Sequence, residues 1–240
     1  MFIAPFFTLC ALAFPAFSVP VATTTTSSVS PATFLNLGST SYTLQLPIGT
    51  GGVAKELAGT SLASYSSDYF YVNKTGVTLY TPNTGVTTSG SLHPRTELKH
   101  NTNWKSSSST FKNMTVSLQV DAVAPGKSVV ISQILSFSNG PQFMVHAYEI
   151  GKIVIRAPSG TKTLDANYKI GSALVLNFSA SSNVLSVTYK NLVSGATSSQ
   201  TFAMTAYSDN YYKAGSYCQI VVGDAGYCQV TVSSLSVTTV

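Results

Sequence analysis

Residues 114–122, MTVSLQVDA, alternate apolar and polar side chains along their whole length. Successive side chains of a β-strand point to opposite faces of its sheet, so this alternation predicts a strand with one buried and one open face. Residues 229–233, QVTVS, repeat the pattern. Because many short strands separated by turns are typical of an antiparallel sandwich or jelly roll, we predict an all-β fold. Clusters of Gly, Asn, Ser and Pro separate the other strand-like runs, which lie at 42–46, 70–79, 129–137, 143–148, 153–156, 173–178 and 184–189.

The composition excludes several classes of protein. Only 9% of the 240 residues are charged, whereas an ordinary soluble protein has roughly 25%. A hydrophobic content of 44% is too high for a disordered chain. After residue 20 no apolar run approaches the ~18 residues that a membrane-spanning helix needs, so we expect no membrane partner. The chain also lacks the Glu-, Lys- and Ala-rich periodic stretches of a helical bundle.

The chain divides into three predicted segments. Residues 1–18 are apolar and uncharged, which predicts a signal peptide. Residues 19–32 are rich in Thr, Ser and Pro and predict a flexible lead-in, and residues 33–240 form the predicted folded domain. Pro5 and Pro15 fit poorly with the alternative, a buried N-terminal helix. We therefore expect a secreted, extracellular protein.

The cysteines and glycosylation sequons agree with secretion. Cys10 leaves with the signal peptide, so Cys218 and Cys228 remain as an even pair in an oxidising compartment, which predicts a disulfide. The sequons, which predict a glycoprotein, are at Asn73, Asn113 and Asn177.

Three segments place polar side chains on one strand face in a chain with few charges. In segment 93–100, HPRTELKH, alternation puts four on a common face: His93, Arg95, Glu97 and Lys99. In segment 211–219, YYKAGSYCQ, the shared face carries Tyr211, Lys213, Tyr217 and Gln219, while Cys218 points away. In segment 132–135, SQIL, Gln133 and Leu135 share a face. If these strands are neighbours, they form a groove lined with basic, amide and aromatic groups.

Such a groove suits an acidic polymer. The 13 Lys and Arg exceed the 8 Asp and Glu, and a formal charge of +5 attracts polyanions, although it could also serve only solubility. Nucleic acid is the rival partner, but the sequence has no Lys/Arg cluster and no nucleic-acid-binding motif, so we expect none. No His/Cys spacing suggests zinc, and we expect a monomer without metal or cofactor.

The same three segments resemble the alginate lyases of polysaccharide lyase family 7. RTELK at 95–99 is similar to the family motif R-(S/T)-E-L-R, and QIL at 133–135 is similar to Q-I-(H/V). YYKAGSYCQ at 211–219 is similar to Y-F-K-A-G-x-Y-x-Q, and YTLQLPIG at 42–49 resembles the first strand. The resemblance covers residues 33–240 and predicts a secreted, fungal member of the family.

This resemblance implies a concave β-jelly roll of two packed antiparallel sheets that cuts 1,4-linked uronic acid polymers by β-elimination. It implies that Arg95 and Gln133 neutralise the C6 carboxylate, an effect of ~10²–10³ in rate for each aimed donor, and that Tyr217 transfers the proton. A tyrosine base needs nearby positive charge, for which Arg95 and Lys213 are the candidates. We expect Glu97 mainly to orient Arg95 or Lys99. The implied substrate-binding residues are Lys213, Lys99, Gln219, Tyr211 and Glu97.

The chain departs from the family motifs at two positions. Leu135 stands where many members have His or Val, and a leucine cannot move a proton. Lys99 replaces the last arginine of the first motif and loses its bidentate capacity. His93 lies on the same strand face as Arg95 and could supply the missing imidazole as a catalytic residue, or it could be an ordinary rim histidine. His100 and His146 are expected to be structural.

The stereochemistry of the sugar, together with Leu135, predicts which uronate the protein prefers. In β-D-mannuronate and β-D-glucuronate, H5 and O4 lie on the same side of the ring, so one tyrosine can act as base and acid. In α-L-guluronate they lie on opposite faces, where a separate base is useful. The sequence therefore favours mannuronate-type linkages, with glucuronan as the alternative substrate, unless His93 is a base.

The residues disfavour a glycosidase and leave a lectin as the alternative class. A glycosidase needs two carboxyl groups flanking the bond, and the eight acids contain no closely spaced strand pair of this kind. A non-catalytic lectin for acidic polysaccharides would share the basic aromatic groove. Unsaturated products would distinguish the lyase from the lectin.

Overall fold

The structure, a computed structural model, describes residues 29–38, 40–221 and 223–239. The predicted signal peptide and residues 19–28 of the predicted lead-in lie outside the described residues. Two short helices are described, α1 (Pro31–Phe34) and α2 (Gly59–Ala63), and neither is long and apolar enough to cross a membrane. The hydroxyl of Ser30 caps α1 by accepting from the backbone N–H of Thr33, and Ala32 is buried. The end of the predicted lead-in thus belongs to this helix.

The remaining elements are strands of two antiparallel sheets. Sheet A contains β1 (Tyr42–Thr50), β2 (Val53–Ala58), β5 (Arg95–His100), β7 (Ser128–Ser136), β8 (Gly140–Tyr148), β9 (Lys152–Ala157), β10 (Gly160–Asp165) and β14 (Asn210–Cys218). Sheet B contains β3 (Phe70–Val72), β4 (Val77–Pro82), β6 (Lys112–Ala122), β11 (Ala173–Ser181), β12 (Val184–Asn191), β13 (Thr197–Ala203) and β15 (Tyr227–Thr239). The order in sheet A is β10-β9-β8-β7-β14-β5-β1-β2, and in sheet B it is β13-β12-β11-β6-β15-β4-β3. The predicted all-β fold of two antiparallel sheets is confirmed.

The core lies between the two sheets and follows the alternation seen in the sequence. Along β6, Met114, Val116, Leu118 and Val120 are buried, and the residues between them are partly exposed. Strands β7 and β14 of sheet A contribute inward-facing side chains to the same core, among them Ile134, Tyr212 and Ala214. One face of each central strand is therefore used for packing, and the other face of sheet A is left for the polar side chains.

Two details of the strand pattern differ from the sequence prediction. The run at 70–79 is two strands, because the Asn73 side chain accepts from the backbone N–H groups of Thr75 and Gly76 and closes a turn. Strands β2, β10 and β13 were not predicted. All three lie at sheet edges and are largely exposed, so they lack the apolar alternation by which the other strands are recognised.

The predicted disulfide is present and joins the two sheets. Cys218 is the last residue of β14 in sheet A, and Cys228 is near the start of β15 in sheet B. Their Cα atoms are 5.5 Å apart, and both residues are fully buried. The bridge fixes the end of β14 immediately after Tyr217.

Candidate active site

The three polar segments lie on adjacent strands of sheet A, in the order β7-β14-β5. Backbone pairing places Tyr217 opposite Arg95, and it places Lys213 between Lys99 on one side and Gln133 on the other. We call the outward-facing set on these strands the polar face: Arg95, Glu97, Lys99, Gln133, Leu135, Tyr211, Lys213 and Tyr217. Although this side of the sheet points away from the core, most of these side chains have little exposed surface, so the polar face is recessed.

Glu97 is the hub of the polar face. Its carboxylate is fully buried and accepts from Gln133 Nε2 at 2.5 Å, from Arg95 Nη1 at 3.2 Å and from Lys213 Nζ at 3.4 Å. A buried carboxylate is costly unless it is paired and hydrogen-bonded, and these three donors supply both. Glu97 bonds Arg95, one of its two expected partners, and it also bonds Gln133 and Lys213. The described contacts do not include the predicted alternative partner, Lys99.

Two buried polar atoms of the polar face have no protein partner within the described residues: Arg95 Nε and Gln133 Oε1. Because a carboxylate only accepts, the Gln133 amide must present its nitrogen to Glu97 and leave its oxygen free. The amide nitrogen of Gln133 carries two hydrogens, and only one of them is needed for the bond to Glu97. Arg95 and Gln133 thus keep a donor and an acceptor that are unpaired by protein groups, although both atoms are shielded from solvent in this arrangement.

Tyr217 lies directly beside Arg95. The guanidinium carbon of Arg95 is 3.8 Å from the centre of the Tyr217 ring, a close cation–π contact. The phenol oxygen is 3.1 Å from Ser91 Oγ. Lys213, the other predicted source of positive charge, bonds elsewhere: its Nζ donates to Gln45 Oε1 at 2.5 Å and to Glu97. Arg95 is therefore the cation that touches the tyrosine.

A bulge shapes the strand that carries Tyr217. The pairing of β14 with β7 shifts between Ala214 and Tyr217, and Gly215 within the shift has φ of 144°. A Cβ at Gly215 would lie 2.6 Å from the carbonyl oxygen of Thr96. Bulges re-aim side chains, and this one needs a glycine because of both its backbone angle and the close approach of β5.

His93 lies just before β5, at the same end of the polar face as Tyr217. Its Nδ1 is 2.7 Å from the carbonyl oxygen of Ile220, and because a carbonyl only accepts, Nδ1 carries the hydrogen. In the neutral ring the other nitrogen, Nε2, then carries the lone pair. The ring centres of His93 and Tyr217 are 6.0 Å apart. His93 is thus near enough to act on a ligand held against Tyr217.

The opposite end of the polar face carries Tyr211, Leu135 and Lys99. Tyr211 pairs with Leu135, and Lys99 Nζ is 5.1 Å from the centre of the Tyr211 ring. Burial raises the pKa of Tyr211, and the charge of Glu97 adds to this, so Tyr211 stays neutral. Gln219 follows β14, and its Nε2 donates to the Tyr217 carbonyl at 3.3 Å.

Three residues of the site were not predicted from the sequence: Gln45, Glu56 and Ser91. Gln45 on β1 is buried and links Lys213 to Glu56 of β2, to which it donates at 2.6 Å. The segment YTLQLPIG carried the signal, since Gln45 interrupts an apolar strand on the face opposite Leu44 and Leu46. Ser91 lies on a loop, where no periodicity marks it.

The two other histidines are held in neutral, packed positions. His146 is fully buried with its Nδ1 3.1 Å from Ser128 Oγ, and burial, with a smaller contribution from Arg156, lowers its pKa to about 3. His100 packs edge-on against Tyr42 at 5.0 Å, and burial lowers its pKa also. Within the described ranges no three His, Cys, Asp or Glu side chains are grouped as metal ligands would be.

Comparison with known families and solved structures points to alginate lyases. A family model described as alginate lyase matches residues 35–239, whereas no curated protein sequence matches significantly. Among the most similar solved structures is an alginate lyase from Corynebacterium sp., 26% identical, with a TM-score of 0.77 over 88% of this chain and 98% of that one. Alginate lyase AlgAT5 from polysaccharide lyase family 7 is 27% identical, with a TM-score of 0.77 over 88% of this chain and 99% of that one. The alginate lyase from Klebsiella pneumoniae, 19% identical, shares the fold with a TM-score of 0.75 over 87% of this chain and 98% of that one.

Proposed function

Because the chain belongs to the alginate lyase family and is a polysaccharide lyase, we propose that it cuts mannuronate-type linkages of alginate by β-elimination, with Tyr217 moving the proton. The observation that carries this proposal is the contact between the Arg95 guanidinium and the Tyr217 ring, 3.8 Å from ring centre to guanidinium carbon, beside a buried Gln133. These are the residues to which the family motifs assign the chemistry, and they share one recessed surface.

The first requirement of the reaction is neutralisation of the C6 carboxylate, because negative charge builds up there when the C5 proton leaves. Arg95 Nε and the uncommitted N–H of Gln133 are the donors for that group. Glu97 holds both side chains in place before substrate arrives, so little reorganisation is needed in the transition state. Each preorganised donor of this kind contributes ~10²–10³ in rate.

The second requirement is proton transfer from C5 to O4. As a phenolate, Tyr217 accepts the C5 proton, and as a phenol it then gives that proton to the departing O4, so one residue completes the cycle. The Arg95 guanidinium packs against the ring of this tyrosine. Such a one-residue mechanism requires H5 and O4 on the same side of the sugar ring, as in mannuronate.

Leu135 supports the same preference for a syn elimination. It is an apolar, nearly buried side chain at the position where many family members carry histidine, so it offers no base on the opposite face of the sugar. Glucuronan, whose sugar has the same relation between H5 and O4, is the second candidate substrate on this ground. His93, with a basic Nε2 near Tyr217, is the proposed base if guluronate is cut as well.

We further propose that the protein is secreted and acts as a monomer. The Cys218–Cys228 bridge supports export, since disulfides persist in oxidising compartments. Among the sequons, Asn177 on β11 is exposed, although its amide nitrogen donates to Thr188 Oγ1 at 3.0 Å, and the Asn73 amide nitrogen donates to Thr78 and Thr231. A fungal origin stays a prediction.

The experiment that tests the function is a substrate panel. The purified protein is incubated with polymannuronate, polyguluronate, glucuronan and a neutral glucan, and the ultraviolet absorbance of the new C4–C5 double bond is followed. We expect the fastest rise with polymannuronate. Faster cutting of polyguluronate would contradict the syn mechanism, and polymer binding without any rise would favour the lectin.

A further inference from the structure

Ser91 connects the phenol of Tyr217 to the main chain of the loop that precedes β5. Its Oγ lies 3.1 Å from the Tyr217 oxygen, 3.1 Å from the carbonyl oxygen of His93 and 3.1 Å from the backbone nitrogen of His93. Arg95 thus contacts the face of the Tyr217 ring, and Ser91 contacts its phenol oxygen.

The direction of each hydrogen bond follows from the groups involved. A carbonyl oxygen only accepts and a backbone N–H only donates, so Ser91 gives its hydrogen to the His93 carbonyl and accepts from the His93 N–H. With its hydrogen committed, Ser91 can only accept from the phenol. In this arrangement the neutral Tyr217 donates its proton toward Ser91.

The loop that carries Ser91 is fixed on both sides. The backbone N–H of Ser91 donates to the Thr88 carbonyl at 3.1 Å. Two residues later, His93 Nδ1 donates to the carbonyl of Ile220 at 2.7 Å, which ties the loop to the chain segment following Tyr217. Ser91 and Tyr217 are therefore held against each other by contacts that do not involve the phenol.

We propose that Ser91 is a positioning residue that serves both protonation states of Tyr217, an inference that rests on the proposed function. When Tyr217 is a phenolate, the Ser91 hydroxyl turns from the His93 carbonyl to the Tyr217 oxygen and donates to it. The C5 proton then passes to the Tyr217 oxygen and from there to the departing O4. Ser91 returns to its accepting arrangement and keeps its own proton throughout.

Hydrogen bonds to charged groups are stronger than those between neutral ones, so Ser91 stabilises the phenolate more than the phenol. Arg95 and His93 are the charged and titratable groups that face the Tyr217 ring, at 3.8 Å and 6.0 Å, and Glu97 is paired with Arg95. Ser91→Ala leaves these three side chains in place, but it also removes the two bonds from Ser91 Oγ to the main chain of His93. The pH profile therefore has to separate the effect on the phenol from the effect on the loop.

The test compares Ser91→Ala with Ser91→Thr, which keeps the hydroxyl, and with Ser89→Ala, which removes an exposed hydroxyl two residues away. We expect Ser91→Ala to lower kcat by about tenfold with little change in KM, the size expected for loss of one hydrogen bond to a charged group. The rising limb of the pH profile of kcat moves to higher pH, since the phenolate has lost a donor. Ser91→Thr and Ser89→Ala keep the parent profile.

Two results would overturn the proposal. An unchanged kcat and pH profile in Ser91→Ala would show that the hydroxyl does not act on Tyr217. If Ser91→Ala lowers kcat equally at every pH, so that the pH profile does not shift, Ser91 has a structural role only. The same conclusion follows if Ser91→Thr lowers kcat as much as Ser91→Ala does. If instead Tyr217→Phe retains full activity, the proposed function itself fails, and the two failures are thus distinguishable.

Discussion

Arg95 and Tyr217 are paired across neighbouring strands, and the guanidinium carbon of Arg95 stands 3.8 Å from the centre of the tyrosine ring. The same arginine donates to the buried carboxylate of Glu97, two residues further along its strand. One side chain thus links the proposed proton-transfer group to the hub that holds Gln133 and Lys213. Disturbing the hub is expected to affect both stability and catalysis.

Replacement of Glu97 by glutamine tests the hub. The variant leaves Arg95 and Lys213 buried without their counter-ion, and breaking a buried pair in this way costs about 3–5 kcal/mol. We expect the free energy of unfolding, measured by urea denaturation, to fall by roughly this amount, with activity falling as well. Glu149→Gln is the control, because Glu149 is exposed and lies in the turn after β8, away from the polar face. Equal, small effects of the two changes would contradict the role of Glu97.

Acid stability provides a test of the packing around His146. Burial lowers the pKa of this histidine to about 3 from its usual 6.5. Between pH 3 and 6.5 the unfolded chain therefore binds a proton at His146 that the folded chain does not bind. Its contribution to stability is complete above pH 6.5 and is lost progressively as the pH falls toward 3, with a slope of up to about 1.4 kcal/mol per pH unit. Thermal denaturation of His146→Gln between these pH values should show a shallower decline than that of the parent. Parallel curves would show that His146 is not held neutral by burial.

Gly215→Ala tests the bulge in β14. The new Cβ would lie 2.6 Å from the Thr96 carbonyl oxygen, and φ of 144° is unfavourable for alanine. Gly195→Ala is the matched control, since Gly195 has φ of 77° but open space around it, so it reports the backbone cost alone, about 1–2 kcal/mol. We expect Gly215→Ala to lower the melting temperature more than the control and to reduce kcat, because Tyr217 is displaced. If both variants lose the same amount in melting temperature, the backbone of β5 moves away from the new Cβ at no measurable cost.

Cys218→Ser removes the bridge between the sheets. Its ten-residue separation predicts a loss of roughly 2–3 kcal/mol by the chain-entropy model. Since Cys218 follows Tyr217 directly, activity should fall with the melting temperature. Reduction of the parent protein is the companion experiment, and full activity of the reduced, folded enzyme would count against a positioning role for the bridge.

The sequence was sufficient wherever a strand has one buried face. The alternation of β6 and the polar positions of β5, β7 and β14 follow from a period of two, which also put Cys218 on the core side. Edge strands such as β10 and β13 bury too little surface to leave that pattern.

The contacts within the site were harder to predict, because they depend on register and on loops. The bond from Lys213 on β14 to Gln45 on β1 reaches across the intervening strand β5, and nothing in either segment alone indicates the partner. The contact between Ser91 and Tyr217 joins residues 126 positions apart through a loop conformation that has no periodic signal.

The role of Tyr217 is tested by comparing the parent with Tyr217→Phe on polymannuronate, following ultraviolet absorbance and identifying the products by mass spectrometry. Binding of polymannuronate by both proteins is measured alongside, so that loss of chemistry is separated from loss of substrate. We predict unsaturated oligosaccharides from the parent, and from the variant intact binding with a rate lower by at least ~10²-fold, as for loss of a general acid–base group. Unsaturated products from Tyr217→Phe at the parental rate would contradict the assignment.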